Sequence, residues 1–379
     1  MKRYENNIVL EECVECDDSL WVFIRNYNAL CTLDQEKEKI IYVASIPNEE
    51  FYKERLVSKI VPYSNDLILL PMCARNINIY HIKTNTWDQI EIPDTIYDYE
   101  PNYKFMEAVK NGRYLYLIGC SYPGVIQFDL VTYKIVKMVE CYVGFSKKVK
   151  NYIWVRSSCV KIGSKLYLAS CVSNEVMRFC LDSLSYSVVE VGNENNRYSG
   201  LALDNQGFFW LSPLIDTNVV KWDGRNKYTE IPIDNQSNQG FFSGIVIYDR
   251  IKIFPRVYAG CTIIVDEKEN ISKLNSLYHI YKKLNSDKSI YEDFYGECCF
   301  VEKGKVVNRI CGLQFENSAK ILGFVKEKIQ LYKTVIHEDG ILFNIENYIH
   351  SIIDLEEQKE RNKHTQFTTI GSGVCSFLR

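Results

Sequence analysis

The chain has 379 residues, a formal net charge of −3 and a pI near 6.1. That balance gives no general electrostatic pull toward nucleic acid or an anionic membrane. No apolar run reaches the roughly 18 residues of a transmembrane helix, and the opening MKRYENNIVL lacks the apolar core of a secretory signal, so a cytoplasmic protein without a membrane span is expected.

Taken in order, the chain repeats one short pattern. Residues 10–24 (LEECVECDDSLWVFI) and 57–70 (VSKIVPYSNDLILL) each read as two strands around a polar turn. Residues 77–93 (INIYHIKTNTWDQIEIP) read as a second pair. The first kind of pair recurs at 105–118, 156–169, 199–211, 243–254 and 297–310. The second kind recurs at 125–139, 176–191, 218–233, 262–274 and 320–336. The clearest copy is 198–233, YSGLALDNQGFFWLSPLIDTNVVKWDGRNKYTEIPI, with strands at 199–203, 208–211, 218–222 and 228–233. β-Branched and aromatic residues fill the strands, and Asn, Asp and Gly fill the breaks.

A four-strand meander is marginal alone and must bury its faces on something. About seven copies at a spacing of roughly 40–55 residues have the period of propeller blades. The fold class expected is therefore all-β, a β-propeller of about seven four-stranded blades, six or eight being the other counts, over residues 1–340. A two-layer sandwich is the alternative, but it needs no single motif at a single period.

Residues 203–210, Leu203-Asp204-Asn205-Gln206-Gly207-Phe208-Phe209-Trp210, resemble a blade of the streptogramin-lyase-like or NHL-type propellers. Thr84-Asn85-Thr86-Trp87 resembles the closing half of a kelch blade. The likeness covers single blades. The Gly-Gly pair of kelch second strands is absent, and no His and Glu arrangement matches the metal site and catalytic histidine of the lyases. The resemblance therefore implies the fold and carries no active site across.

Two stretches break the repeat. In 273–295, Leu274, Leu277, Tyr278, Tyr281 and Leu284 have helical spacing, which reads as an insertion with a short helix or a long loop. In 344–363, Ile345, Tyr348, Ile349, Ile352, Ile353 and Leu355 form an apolar stripe. Residues 341–379 are thus expected to form a helix and tail packed on the propeller or closing it, with a homo-oligomer contact as a second role.

The 14 cysteines fall mostly in strand patterns, as Cys73, Cys120, Cys159, Cys171, Cys180 and Cys261 do, and read as small reduced core residues. Cys13-Val14-Glu15-Cys16 is a CxxC, but residues three apart in a strand face opposite ways, and no second pair completes a zinc site.

Propellers place function where the innermost strands converge on a central channel. The repeats start those strands near Leu10, Val57, Phe105, Arg156, Ser199, Ser243 and Glu297. Charged residues gather there: Glu12, Lys59, Glu107, Arg156 and Glu297. Arg156 could grip a carboxylate or phosphate; Glu107 or Glu297 could act as base or metal ligand; Ser199 and Ser243 complete the candidate ligand-binding set. The bland alternative is mutual ion pairing. Tyr103, Phe105, Trp154, Tyr198, Phe241 and Phe242 read as blade packing before a recognition platform. None of His81, His279, His337, His350 and His364 starts an inner strand, and no nucleotide, protease or hydrolase motif occurs. The expected function is a non-enzymatic binding module for a protein, peptide or glycan, with no cofactor or metal. The rival is a lyase or hydrolase at the channel mouth, working with a divalent metal.

Overall fold

A computed structural model describes residues 10–274 apart from 25–27, 35–38, 51–52, 97–98, 100, 147–152, 157–158, 215–217, 234–240, 243–244, 249–250, 255 and 258–261. Beyond them it describes the strands 288–292, 298–302, 305–309, 335–337 and 340–344. The readings at 275–287, at Ser243 and Glu297, and over 345–379 lie outside the described residues.

Within those residues the chain is all-β. The only helical element is a 3-10 turn at Cys141–Gly144. The first sheet carries β1 (Leu10–Cys16), β2 (Ser19–Ile24), β3 (Leu30–Asp34) and β4 (Lys39–Ala44). The second carries β5 (Val57–Tyr63), β6 (Asp66–Pro71), β7 (Asn76–His81) and β8 (Thr86–Glu91). The third has β9 (Phe105–Asn111), β10 (Tyr114–Gly119), β11 (Val125–Asp129) and β12 (Lys134–Val139). The fourth has β13 (Val160–Ile162), β14 (Lys165–Ala169), β15 (Glu175–Cys180) and β16 (Tyr186–Glu190). The fifth, the stretch most regular in sequence, has β17 (Tyr198–Leu203), β18 (Phe209–Pro213), β19 (Val219–Trp222) and β20 (Tyr228–Ile231).

A two-residue strand β21 (Phe241–Phe242) pairs with β24 (Arg256–Val257). Beside this ribbon β22 (Val246–Tyr248), β23 (Ile251–Phe254), β25 (Thr262–Val265) and β26 (Ile271–Leu274) form the next four-stranded sheet. A three-stranded sheet follows, β27 (Lys288–Glu292), β28 (Cys298–Glu302) and β29 (Lys305–Arg309). The last hairpin, β30 (Val335–His337) and β31 (Gly340–Asn344), adds to the outer edge of β4, extending the first sheet to six strands. Part of the expected helical insertion is corrected here. Lys288–Glu292, with Ile290 and Tyr291 at its centre, is a strand that pairs with β28.

Each four-stranded sheet is an antiparallel meander. The first strands of successive sheets pack together: β1 on β5, β5 on β9, β13 on β17 and β17 on β22. Burial follows the same order. The second strands β6, β10 and β18 are buried almost throughout, whereas the fourth strands β8, β12 and β16 hold no buried residue. Sheets arranged radially about an axis, face against face, have this gradient, and the architecture is that of a β-propeller. The core between neighbours is aromatic. Between the fourth and fifth sheets Tyr167, Phe209 and Trp222 stack with centroids 4.6 to 6.3 Å apart.

Candidate functional site at the channel mouth

The inner strands share an irregularity that fixes which residues reach the mouth. In β1, β5, β9 and β17 a β-bulge falls near the start. Leu10 pairs with Ile24 but Glu12 with Phe23; Val57 with Pro71 but Lys59 with Leu70. Phe105 pairs with Gly119 but Glu107 with Ile118; Tyr198 with Pro213 but Gly200 with Ser212. Glu11, Ser58, Met106 and Ser199 are the extra residues. A bulge bends its strand and re-aims the side chains beside it.

Ser58 and Ser199 serve that bend. Both are fully buried, and each donates to the carbonyl it bulges past, Leu70 and Ser212, at 3.5 Å. The Ser199 hydroxyl also reaches Ser212 Oγ at 2.9 Å and the Pro213 carbonyl at 3.2 Å.

Around the same end of the sheets runs a belt of backbone hydrogen bonds. It links each loop after a second strand to the segment leading into an inner strand. Met72 N donates to Leu56 O, Lys104 N to Met72 O, Cys120 N to Lys104 O, Trp154 N to Cys120 O and Cys171 N to Trp154 O. The belt continues as Tyr198 N to Ser170 O, Leu214 N to Arg197 O and Phe242 N to Leu214 O. Its distances lie between 2.7 and 3.2 Å, so each link is a full hydrogen bond. In the first sheet Asn28, wholly buried, does the same job with its side chain, accepting from Ile46 N at 2.8 Å and donating to Ile46 O at 2.9 Å.

The belt also corrects two alignments, that of Ser199, which the bond from Leu214 to Arg197 puts at the bulge station of Ser58, and that of Arg156. The bond from Cys171 to Trp154 is the counterpart of those from Met72 to Leu56 and from Cys120 to Lys104. Trp154 therefore stands where Leu56 and Lys104 do. Arg156 falls at the bulge station of Ser58 and Met106, one residue past the strand start assigned to it from the repeats.

Of the seven candidate residues, the structure brings two together. Lys59 on β5 and Glu107 on β9 form an ion pair between neighbouring inner strands, their side chains 16% and 10% exposed. Glu107 Oε1 also accepts the Ala108 N–H at 2.8 Å. The thiol of Cys159 lies in the same field. Burial pushes it up to about 12, the Glu107 charge adds to this, and the Lys59 charge opposes it. Arg156 stands between the loops of Cys120 and Cys171. Burial raises both thiols, that of Cys171 to about 12, while the Arg156 charge opposes each shift. Glu12 lies on β1 past its bulge. Ser199 is committed to its own sheet.

Sequence reasoning missed two further groups. Arg55 Nη1 donates to Tyr103 OH at 3.0 Å, with the guanidinium 6.0 Å from the ring centre. Lys104 is buried, and its ammonium donates to the carbonyls of Ala74 at 3.0 Å and Pro101 at 2.6 Å. Both sit just before inner strands, a position defined by the belt and so invisible in side-chain patterns. Of the aromatic residues near the mouth, Phe105, Trp154, Tyr198 and Phe242 are buried packing. Among the described residues no group of three or more His, Cys, Asp and Glu side chains is placed to hold a metal ion.

No known family and no curated protein matches this chain. Solved structures do. A catalytically inactive virginiamycin B lyase from Staphylococcus aureus, solved with quinupristin, aligns over 80% of this chain and 94% of its own at a TM-score of 0.51 and 11% identity. A streptogramin B lyase structure aligns over 79% and 92% at a TM-score of 0.51 and 12% identity. At such identities the likeness is one of fold, and it agrees with the propeller read from the sheets.

Proposed function

We propose that this chain is a non-enzymatic propeller module that binds a carboxylate-bearing protein, peptide or glycan at the belt-side mouth of its channel. One observation carries the reading. One basic residue stands in each of four consecutive segments leading into inner strands, Arg55 before β5, Lys104 before β9, Arg156 before β13 and Arg197 before β17, the Lys104 ammonium being bonded to backbone carbonyls. Basic groups gathered at a concave mouth focus a field that draws an anion inward, and Arg supplies paired donors for a carboxylate. The groups that could do chemistry are engaged otherwise. Glu107 is neutralised by Lys59, and burial keeps the nearby thiols protonated at neutral pH.

The rival reading, a lyase or hydrolase using a divalent metal, draws on the fold likeness to virginiamycin B lyase. It needs Glu107 released from Lys59 to serve as base or ligand. The ring is completed in this proposal by about seven blades, and residues 341–379 close it or join a second copy.

Screening the protein against arrays of acidic and neutral glycans and peptides tests the proposal. Binding confined to carboxylate-bearing members, lost on Arg156→Ala with thermal stability unchanged, is the expected result. Equal capture of neutral members would contradict it. A mass change in the bound compound would favour the enzyme.

A further inference from the structure

On the side of the sheets away from the belt, His81 ends β7 directly across from Asp66, which opens β6. Its Nδ1 is 2.9 Å from Asp66 Oδ1 and its Nε2 is 3.2 Å from Asp88 Oδ2 on β8. An imidazole that meets a carboxylate at both nitrogens can donate to both only as the cation. The neutral ring leaves one lone pair facing a negative charge. The other oxygen of Asp66 accepts a hydrogen bond from the hydroxyl of Tyr133, which belongs to the next sheet.

Tyr133 is held for this role. Its backbone has φ +53°, the left-handed region that a bulky side chain enters at a cost. Its ring lies 6.1 Å from that of His81, edge-on to Tyr63 at 6.4 Å and stacked on Phe128 at 6.4 Å. Three of the charged and titratable groups around the cluster have partners of their own, while Asp17 adds negative charge beside Cys16. Lys110 sits over Tyr63 at 5.3 Å, Arg113 is paired with Asp129, and the Cys16 thiol donates to the Ser64 carbonyl. The imidazole is the group that touches both Asp66 and Asp88 beside a neighbouring blade.

We propose that His81, held between Asp66 and Asp88 and coupled through Asp66 to Tyr133, is a pH-sensitive latch between the second and third sheets, tight when the imidazole is protonated. Burial alone would lower the His81 pKa, but the hydrogen bonds to Asp66 and Asp88 and the two charges outweigh it, so the net direction is upward. The sign follows. A raised folded pKa gives stabilisation that is complete below about 6.5, the unfolded value, and lost as pH rises through the folded value.

The test is amide hydrogen exchange at Asn65, Asp66, Thr132 and Tyr133 at pH 5.5 and 8.5, corrected for intrinsic rates, with His81 titrated by NMR. His81 should titrate above 6.5. Junction protection should fall on going to pH 8.5, by about tenfold for each unit by which the folded pKa exceeds the unfolded one. The exposed substitution Asp88→Asn supplies an amide that donates to a neutral Nε2, so it should keep the junction protected at both pH values. Tyr133→Phe should lower protection at the junction while leaving His81 titrating above 6.5. A His81 that titrates at or below 6.5 would overturn the latch, as would equal pH dependence in Asp88→Asn and the parent protein.

Discussion

Replacing Glu107 with Gln separates a structural ion pair from a ligand-binding one. Gln is nearly isosteric, and its Oε1 can still accept the Ala108 N–H that Glu107 takes at 2.8 Å. The change therefore removes charge alone and leaves the Lys59 ammonium facing a neutral amide. Breaking a fully buried pair costs about 3–5 kcal/mol, and a surface pair is worth about 0–1 kcal/mol. With side chains 16% and 10% exposed at a channel wall, the pair falls between these limits. A loss of about 2 kcal/mol is expected. Replacing both members together, Lys59→Met with Glu107→Gln, keeps the acceptor for the Ala108 N–H, removes the uncompensated charge and should return stability to within about 1 kcal/mol of the parent. Urea unfolding at pH 7 measures this, with the slope m checked for constancy so that a midpoint shift reports stability. A Glu107→Gln protein within about 0.5 kcal/mol of the parent would refute the reasoning. It would mean that both charges are solvated and available to a ligand.

Asp204→Ala should cost about 2–3 kcal/mol, read by thermal unfolding, because it removes the acceptor of a buried donor. Asp204 accepts Gln206 N at 3.0 Å, Phe208 N at 2.9 Å and the indole N–H of the wholly buried Trp210 at 2.8 Å. A negligible change would show that water reaches that indole. Cys180 should alkylate with iodoacetamide before Cys120, Cys141 and Cys171 at pH 7.5, followed by peptide mass spectrometry. The Ser183 hydroxyl and N–H hold its thiol below the usual range, whereas burial raises the other three. Faster labelling of Cys171 would instead mean that Arg156 activates it.

The strands were legible because their cues are local. Leu10, Val57 and Phe105 start inner strands as their repeats indicate, and the meander over 198–231 matches its alternation and its Asp and Gly turns nearly residue for residue. The pairing of Lys59 with Glu107 was within reach, since both follow a strand start in neighbouring repeats. The mouth was less legible for a physical reason. The belt is made of backbone groups, which leave no side-chain signature, and each bulge inserts one residue, enough to turn a side chain from one face to the other. Ser199 therefore reads as a ligand group in sequence and serves a carbonyl in the fold. Arg156 is displaced by one station because the stretch from its strand start to the turn at Gly163 is one residue longer than in the second and third sheets. In 288–292 the helical spacing upstream hid a short strand that has no alternation of its own to announce it.

The belt is where the account can be tested most directly. Hydrogen exchange of the amides of Met72, Lys104, Cys120, Trp154, Cys171, Tyr198, Leu214 and Phe242 should show all eight protected and opening together, since one run of hydrogen bonds joins the second sheet to the sixth. If those amides exchange as freely as exposed loops, or open sheet by sheet at unrelated free energies, the sheets are not joined at that rim. The mouth built on it would then not exist.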